Sequence, residues 1–512
     1  MVSASENNKR IAKNTVMLYF RMILLLLVSL YTSRVILNAL GVEDYGIYNV
    51  VGGVVTMFSL LSSSLSSAIS RFITFELGKG DLQRLKDVFS ASVTIQIAIS
   101  VIIVVLIEII GVWFLNTHMV IPDDRMTAAN WVLQFSVLTF VIGLISVPYN
   151  AAIIAHEHMS AFAYISILEA VGRLAVALLI VHSPIDRLIF FAGFVAVVGV
   201  IVRIVYGWYC KRHFSECTYH FRWDGALLRQ MFSFAGWNFI GCAAGLFREQ
   251  GTNILINLLF GPTVNAARAI AVKVNTVITG FVQNFMMALN PQITKSYASG
   301  DHAYMFTLIF QGARLSFYML LFLSLPVIFS THYILVLWLK LVPEHTVPFI
   351  QLALICAMSE SLSNPLITAM LATGRIRNYQ IVVGGLLLLG FPITYVCYKV
   401  GLAPEYVYVV YILISQCCLA ARLLMLRGMI NIKVREYLRK VYLNVIVVTI
   451  VAAIIPWLIS RHMEECLSTF LIVSLISVVC SALTIYFIGC NNAEREKVRV
   501  YCAKLQKKVI KR

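Results

Sequence analysis

The sequence predicts an all-α polytopic membrane protein of about fourteen transmembrane helices, and three observations predict it. Of its 512 residues, 60% are hydrophobic and only 13% are charged, with a mean hydropathy of +0.84; no soluble domain of this size could present that balance to water. Apolar runs long enough to cross a hydrocarbon core of roughly 30 Å, at about 1.5 Å per residue, recur along the whole chain. The Lys and Arg residues between those runs fall almost entirely into alternate connections, the pattern that membrane insertion leaves.

Fourteen segments meet the length requirement: 14–40, 45–76, 88–115, 127–154, 159–182, 186–210, 230–259, 263–295, 304–330, 347–372, 379–399, 405–429, 441–460 and 467–489. The second and eighth are longer than a bilayer needs, so each is expected to include an extension beyond the membrane or a bend. The first run follows Lys9, Arg10 and Lys13 as a signal peptide does. No small-residue cleavage site follows it, however, and the run continues to Leu40, so it is expected to remain as an uncleaved span.

One set of connections comprises the N-terminus, 79–86, 211–229, Lys295, Arg375 with Arg377, 427–440 and 495–512. It holds 26 of the 41 basic residues, whereas the other set (Arg125, Arg187, Lys340, Lys399 and Arg461) holds five. Cytoplasmic loops carry the Lys and Arg excess, so both termini are placed in the cytoplasm and the number of spans is even. A miscount of one span would have mixed the two sets. The formal net charge of +17 therefore reports orientation in a lipid bilayer, and no nucleic-acid partner is expected. The eleven cysteines lie mainly inside apolar segments, and Cys417-Cys418 is an adjacent pair rather than a C-x-x-C motif; they read as small hydrophobes, not as metal ligands or redox groups.

An internal repeat is expected, because transporters are often built from two related bundles. Offsetting the chain by 220 residues puts Gly41 on Gly261 and Gly80-Asp81 on Gly300-Asp301 without a gap. Val54, Thr56, Ala68 and Thr74 fall on Val274, Thr276, Ala288 and Thr294. The expected organisation is an N-terminal six-helix lobe (1–210), a cytoplasmic linker (211–229), a second six-helix lobe (230–430), two additional helices (431–489) and a basic cytoplasmic tail (490–512).

Ten basic residues lie inside the apolar segments: Arg21, Arg34, Arg71, Arg173, Arg203, Arg248, Arg268, Lys273, Arg314 and Arg422. Each would cost roughly 2.5–3.5 kcal/mol at the centre of a lipid-facing helix, and together they would exceed the roughly 5–15 kcal/mol net stability of a protein. Most must therefore avoid lipid. Arg203 and Arg422 lie near span ends and are expected to snorkel; for Arg34 and Arg268 snorkelling and an interior role both stay open. Arg173 has Glu169 at i−4, the spacing of an intrahelical ion pair, while Arg71 and Glu76 at i+5 fit less well. Arg21, Arg71, Arg248, Lys273 and Arg314 are the best candidates for a water-filled interior. Glu108, Glu249 and Glu360, with Glu157 near a cytoplasmic end, are the acidic groups available to oppose them; the first three could also couple an ion, and Glu249 beside Arg248 reads equally as a proton site or a neutralising partner. If the basic side chains converge, the cavity would favour an anion such as a phosphate or pyrophosphate.

Catalytic signals are weak. His156-Glu157-His158 lacks the i, i+4 histidine spacing of a zinc helix, there is no Walker phosphate loop, and neither a cofactor nor an enzymatic site is expected. The Ser62–Ser67 run, SSSLSS, reads as close helix packing ahead of polar cavity lining. Pro148, Pro291, Pro326, Pro365 and Pro392 lie in or beside spans and are expected to bend helices; Pro291, within ALNPQITKSYASGD, is the candidate hinge.

The run TSRVILNALGVEDYGIYNVVGG resembles the first outer loop of polysaccharide-exporting members of the multidrug/oligosaccharidyl-lipid/polysaccharide (MOP) exporter superfamily. The shared pattern is carried by Arg34, Leu40, Gly41, Tyr45, Gly46 and Tyr48. FGPTVNAARAIAVKV, NPQITKSYASGD and ILVLWLKLVP also look like counterparts, over about residues 10–430. The resemblance is strongest to Wzx-type O-antigen and capsule flippases. In FGPTVNAARAIAVKV the tyrosine that commonly follows the glycine motif is absent, Asn265 and Ala266 standing in its place, which weakens the repeat but not the topology. The resemblance implies a MATE-like, two-lobed bundle that alternates between inward- and outward-facing states. Its cargo would be undecaprenyl-pyrophosphate-linked oligosaccharide, moved across the bacterial inner membrane, with a polysaccharide polymerase and chain-length proteins as further partners. Cationic cavity residues in such proteins are thought to meet the pyrophosphate. By position Arg21, Arg34, Arg71, Arg248 and Lys273 would carry that role, with only Arg34 inside a recognisable motif.

Three other functions compete. A drug or cation exporter of the same superfamily would need an exposed acidic residue, and the first span has none; Glu108, Glu249 and Glu360 keep that reading open. A peptidoglycan-precursor flippase would share the cationic cavity and the number of spans. A membrane-embedded glycosyltransferase or polymerase would need large hydrophilic outer loops or an acidic cluster, and the outer loops are all short.

Overall fold

The computed structural model describes residues 4–56, 58–119, 121–221, 224–340, 342–492, 494–496 and 499, and no strand occurs among them. The expected basic tail lies outside the described residues beyond 499. Eleven helices are long and apolar enough to cross a membrane. The other three expected spans, 45–76, 230–259 and 263–295, are also mostly helical but fall below that hydropathy, being richer in Ser, Thr, Asn, Gly and charged residues. Such composition suits helices that face protein or water within a membrane rather than lipid.

The chain forms two compact units. The first comprises Met1–Ala243, Met287–Asp301 and Leu371–Gln380; the second comprises Ala244–Met286, His302–Met370 and Ile381–Arg512. In the first unit α1 (Ala4–Thr56), α2 (Ser59–Lys79) and α3 (Leu82–Leu106) are followed by α4 (Val112–His118), which continues α3 through a π turn at Ile107–Gly111. Next come α5 (Met126–Ala155), α6 (Met159–Leu179), α7 (Arg187–His213) and the start of α8 (Gly225–Phe260). The end of α9 (Pro262–Ala298) belongs to this unit as well. α5 packs on α7, α2 and α3, and α1 packs on α6. Val51, Val55, Ile103, Leu133, Leu144 and Leu188 interlock in the core. Ile97, Val101, Ile102 and Val105 of α3 stay exposed, as expected of a face solvated by hydrocarbon rather than water.

Gly41 shapes the first helix. Its φ of 83° and ψ of 171° are non-helical, in a region essentially confined to glycine, and they break α1 into two arms. A Cβ there would meet nothing within 4 Å, so a substitution is penalised through the backbone alone. Gly41→Ala should cost about 1–3 kcal/mol, read as a lower melting temperature of the purified protein. Gly46→Ala, in helical backbone with equally open surroundings, should be neutral or slightly stabilising.

The same local geometry returns at the predicted offset. Gly41 and Gly261 have φ of 83° and 84°, and Gly80 and Gly300 both have φ of 78°. In each pair the positive-φ residue ends a helix or breaks one, so the glycine alignment read from the sequence falls on positions of like φ.

The stretch after α7 is fastened to the first unit rather than free. Phe214 stacks on His156 with centroids 4.1 Å apart, and Glu216 meets His156 Nε2 at 2.5 Å. Burial alone would raise the Glu216 pKa, but the hydrogen bond from His156 carries it below the usual carboxylate range. Asp224 caps α8 by accepting from the Ala226 and Leu227 amides at 3.0 Å, and pairs with Arg84 at 3.0 Å.

The second unit holds the rest of α8 and α9 together with α10 (His302–Phe329), α11 (Thr331–Leu339), α12 (Thr346–Ser361) and α13 (Asn364–Thr373, its last residues in the first unit). It continues through α14 (Arg377–Lys399, likewise shared), α15 (Tyr406–Ile430), α16 (Val434–Tyr437), α17 (Asn444–His462) and α18 (Leu467–Thr484). α10 packs on α12, α17 and α18, and α12 packs on α15. α17 and α18 expose Ile450, Ile454, Leu471, Leu475 and Leu483, an apolar face suited to lipid.

Candidate functional site

A cavity of about 420 Å³ lies within the first unit. The first arm of α1 contributes Arg21, Ser29, Thr32 and Ser33, the second arm Tyr45, Tyr48 and Asn49, α6 Glu169 and Arg173, and α7 Phe191 and Val195. Without the break at Gly41 the two arms of α1 could not face the same space. The spacing of the Leu-Gly…Tyr-Gly-x-Tyr motif thus has a mechanical meaning: the glycine turns the chain and the two tyrosines land on the cavity wall. Tyr48 is held edge-on against Phe191, centroids 5.0 Å apart.

The charge in this cavity is two arginines against one carboxylate. Arg173 Nη2 donates to Glu169 Oε1 at 2.8 Å, the i, i+4 pair that the spacing predicts. Arg21 lies over the Phe162 ring, 4.4 Å from its centroid, and its buried Nε finds no hydrogen-bond partner among the described residues. A guanidinium seated on an aromatic face with a donor unfilled retains the capacity to bind an anion. Arg173 also lines an adjoining cavity of about 190 Å³ with Tyr48, Ser136 and Thr139.

The other expected basic residues go to different places. Arg34 is exposed on α1, outside this cavity. Arg71 is half-buried, its Nη2 donating to the Ala372 carbonyl at 2.9 Å and its guanidinium lying 4.4 Å from the Phe75 centroid; no Glu76 ion pair forms among the described contacts. In the second unit Arg248 Nη1 pairs with Glu360 Oε1 at 2.9 Å and lies over Tyr411 at 4.5 Å. Its partner is therefore Glu360, not the sequence neighbour Glu249. Glu249 on α8 and Lys273 on α9 are exposed, and Glu108, exposed within the π turn after α3, accepts from Gln134 at 3.2 Å.

Arg314 departs most from expectation. It is buried, with Nη1 donating to the Gly489 carbonyl at 3.1 Å and Nη2 to Glu494 at 2.7 Å. Its charge neutralises Glu494 and caps the carbonyl end beyond α18, so it fastens α10 to the chain end. The expectation for Arg422 is corrected in the same way, and the open choice for Arg268 falls to the interior. Arg422 and Arg268 do not snorkel but are 7% and 3% exposed, bonded to Ser363 Oγ and to Asn253 Oδ1 respectively. Each is close enough to a side-chain oxygen of its own unit to remain inside the protein. Ser64, in the SSSLSS run, is buried and donates to the Ala235 carbonyl at 2.7 Å, which agrees with close packing. α9 runs through the buried Pro291 as a single helix, and the division between the two units falls just before it, after Met286.

Glu157, which the sequence offers only as an acidic group near a cytoplasmic end, has partners that its sequence neighbourhood does not suggest. Its side chain is 0% exposed, and Lys295 Nζ, Gln292 Nε2 and Arg10 Nε approach its carboxylate at 2.6, 2.8 and 3.7 Å. A Glu at the start of a short turn carries no periodic signal, and neither its place between two histidines nor its acidic charge points to Lys295 as the partner. Among the described residues no group of three or more His, Cys, Asp or Glu side chains could hold a metal ion.

Comparison with known proteins agrees with this architecture. The chain is 18% identical over 277 residues to the uncharacterized membrane protein EpsK of Bacillus subtilis (strain 168), covering 53% of this chain. It spans about half, 54%, of that relative's length. Among solved structures, a MATE transporter in the bent conformation superposes with a TM-score of 0.72 at 11% identity, covering 82% of this chain and 95% of that one. An outward-facing multidrug resistance MATE family transporter of the MOP superfamily gives 0.69 at 11%, with 82% and 95% covered. A MOP superfamily transporter from Pyrococcus furiosus, described as having a binding pocket of reversed polarity that suggests a different function, gives 0.67 at 12%, again with 82% and 95% covered. At these identities the likeness is one of fold. The family described as polysaccharide biosynthesis protein matches residues 9–297, more than half of the chain, and this multi-pass membrane protein with the fold of MOP-superfamily transporters therefore belongs to that family.

Proposed function

We propose that the chain is a flippase that carries undecaprenyl-pyrophosphate-linked oligosaccharide across the bacterial inner membrane for O-antigen, capsule or exopolysaccharide assembly. It would act by alternating access, as a carrier rather than an enzyme. The observation that carries this reading is the 420 Å³ cavity inside the first unit, where Arg21 and Arg173 outweigh the single Glu169 and Ser, Thr, Tyr and Asn side chains complete the wall. A pyrophosphate entering an apolar slab loses hydration at high cost, and fixed guanidinium groups replace that hydration. Hydroxyl and aromatic groups beside them suit sugar rings.

Arg21 is the principal cargo contact in this reading. Arg34, Lys273 and Arg248 serve the same anion at other stages of its passage, while Arg314, already neutralised by Glu494, is left out. Glu360, paired with Arg248 and with 41% of its side chain exposed, suits coupling to an ion better than Glu108 or Glu249, because its protonation would release the arginine. Pro291 is the hinge of α9. A drug or cation exporter is disfavoured by the excess positive charge of the cavity.

Genetic complementation tests the proposal. Expression should restore surface polysaccharide in a strain lacking a polysaccharide flippase and should fail to support growth of a strain depleted of its peptidoglycan flippase. Rescue of the second strain alone would assign the chain to peptidoglycan precursor instead.

The orientation, with both termini in the cytoplasm, has its own test in Cys466. This exposed thiol caps α18 and sits 2.9 and 3.1 Å from the Ser468 and Thr469 hydroxyls. Those two hydrogen bonds and the Thr469 amide push its pKa down to about 7. A membrane-impermeant maleimide should label Cys466 from the periplasmic side of intact spheroplasts, with a rate that is half-maximal near pH 7. Labelling only in inverted vesicles would reverse the topology.

A further inference from the structure

Where the turn between α5 and α6 meets the end of α9, the first unit holds a second cluster of charge that the cargo cavity does not use. Glu157 there has φ of +62°, a conformation that costs a side-chain-bearing residue about 1–2 kcal/mol. The turn is pinned on both sides: His156 by Glu216, His158 Nδ1 by the Tyr209 hydroxyl at 2.9 Å. The Glu157 carbonyl also accepts from Asn14 at 3.2 Å. Its carboxylate is fully buried beneath Lys295 and Gln292, residues that precede the Gly300-Asp301 turn.

A matching arrangement occurs at the corresponding turn of the other half of the sequence. Gly374 has φ of +74°, and the basic residue that reaches this turn is Arg71 of α2, through the Ala372 carbonyl. The two contacts are reciprocal. The end of α9 supplies a cation to the turn at 156–158, and α2 supplies one to the turn at 372–374. Between them α2 and α9 touch at their ends, where a Cβ on Gly78 would come within 2.8 Å of the Lys295 Cα and 2.9 Å of the Ala298 Cβ.

We propose that these two contacts, Lys295 and Gln292 on Glu157 and Arg71 on the Ala372 carbonyl, form a paired latch that holds segments 287–301 and 371–380 against the rest of the first unit and must release during each transport cycle. The chemistry suits a contact that opens. When both partners of a buried ion pair or hydrogen bond are released into water together, the hydration they regain offsets the pairing they lose, whereas an interdigitated apolar core has no such compensation. A buried carboxylate also makes the latch cooperative: once the seam admits water, Glu157 no longer needs Lys295, and its backbone can leave the left-handed region. Arg71 thereby becomes a latch residue rather than a cargo contact.

The inference rests on the carrier reading but not on the identity of the cargo, so it is tested without any cargo. Hydrogen–deuterium exchange would be measured on the full chain in lipid nanodiscs. Glu157→Gln removes the charge that holds Lys295, and Gly78→Ala inserts a methyl group as a wedge while leaving every charge in place. Each should speed exchange of peptides covering 293–301 and 371–380 at least tenfold, with the α5 and α7 core unchanged. Unaltered exchange at 293–301 in both variants, or acceleration spread evenly over the unit, would overturn the latch. If Glu157→Gln does not fold, Gly78→Ala alone decides between the same two outcomes.

Discussion

Arg21→Ala is expected to abolish surface polysaccharide in the complemented strain while leaving the protein inserted and abundant. The side chain lies on the Phe162 ring within the cavity and has no ion-pair partner among the described residues, so its removal exposes no orphaned carboxylate and should leave the fold intact. What is lost is a charge-assisted contact to the anion, worth about 1.5–3 kcal/mol, or roughly ten- to a hundredfold in flux at 1.4 kcal/mol per decade. Arg21→Lys should retain part of the activity, since a point charge replaces a planar fork that can grip two phosphate oxygens at once. Normal polysaccharide in the alanine variant, with expression verified by immunoblot, would remove Arg21 from the cargo path.

The largest expected effect on stability is at Arg125, at the start of α5. Its Nε and Nη2 grip both oxygens of Asp44 at 2.8 and 2.6 Å, and its Nη1 reaches Asp186 at 2.6 Å. One guanidinium thus ties the second arm of α1, the start of α5 and the cap of α7. Breaking a buried pair by deleting one partner costs about 3–5 kcal/mol; the three side chains here are 17–29% exposed, and partial solvent screening lowers the expected loss to about 2–3 kcal/mol. Arg125→Ala should melt several degrees below the wild type in detergent, and unchanged melting would show the triad to be dispensable.

The same triad gives a pH dependence of known sign. Burial alone would raise the Asp186 pKa, but the hydrogen bond from Arg125 and the Ile189 and Leu188 amides hold it below the usual carboxylate value. A carboxyl whose folded pKa is depressed contributes stability that is complete above its unfolded pKa of about 3.9 and disappears as pH falls through the folded value. Melting should therefore be insensitive to this group between pH 6 and 8 and decline below about pH 4. Asp186→Asn, which keeps an N-cap but not the ion pair, should flatten that acid limb.

Much of this architecture is legible in one dimension. Span length follows from bilayer thickness and helical rise, a constraint that acts on each segment separately, so no knowledge of packing is needed. The recurrence of Gly41 and Gly80 at Gly261 and Gly300 was readable for a similar reason, since a left-handed backbone selects its residue locally. The Glu169–Arg173 pair was visible because helical spacing alone brings i and i+4 together.

What only the tertiary structure decided was the partner that each charge finds. Arg314 finds Glu494 180 residues away, Arg248 finds Glu360 across 112, and Lys295 finds Glu157 across 138. A buried ion takes whichever counter-charge packing brings within about 3 Å, and sequence neighbours such as Glu249 lose to it because consecutive helical residues point to different faces. The sequence alone determined that most of the ten cations within the apolar segments must avoid lipid; only the packing of its helices decided which became fasteners, which formed a latch, and which, like Arg21, were left facing a cavity.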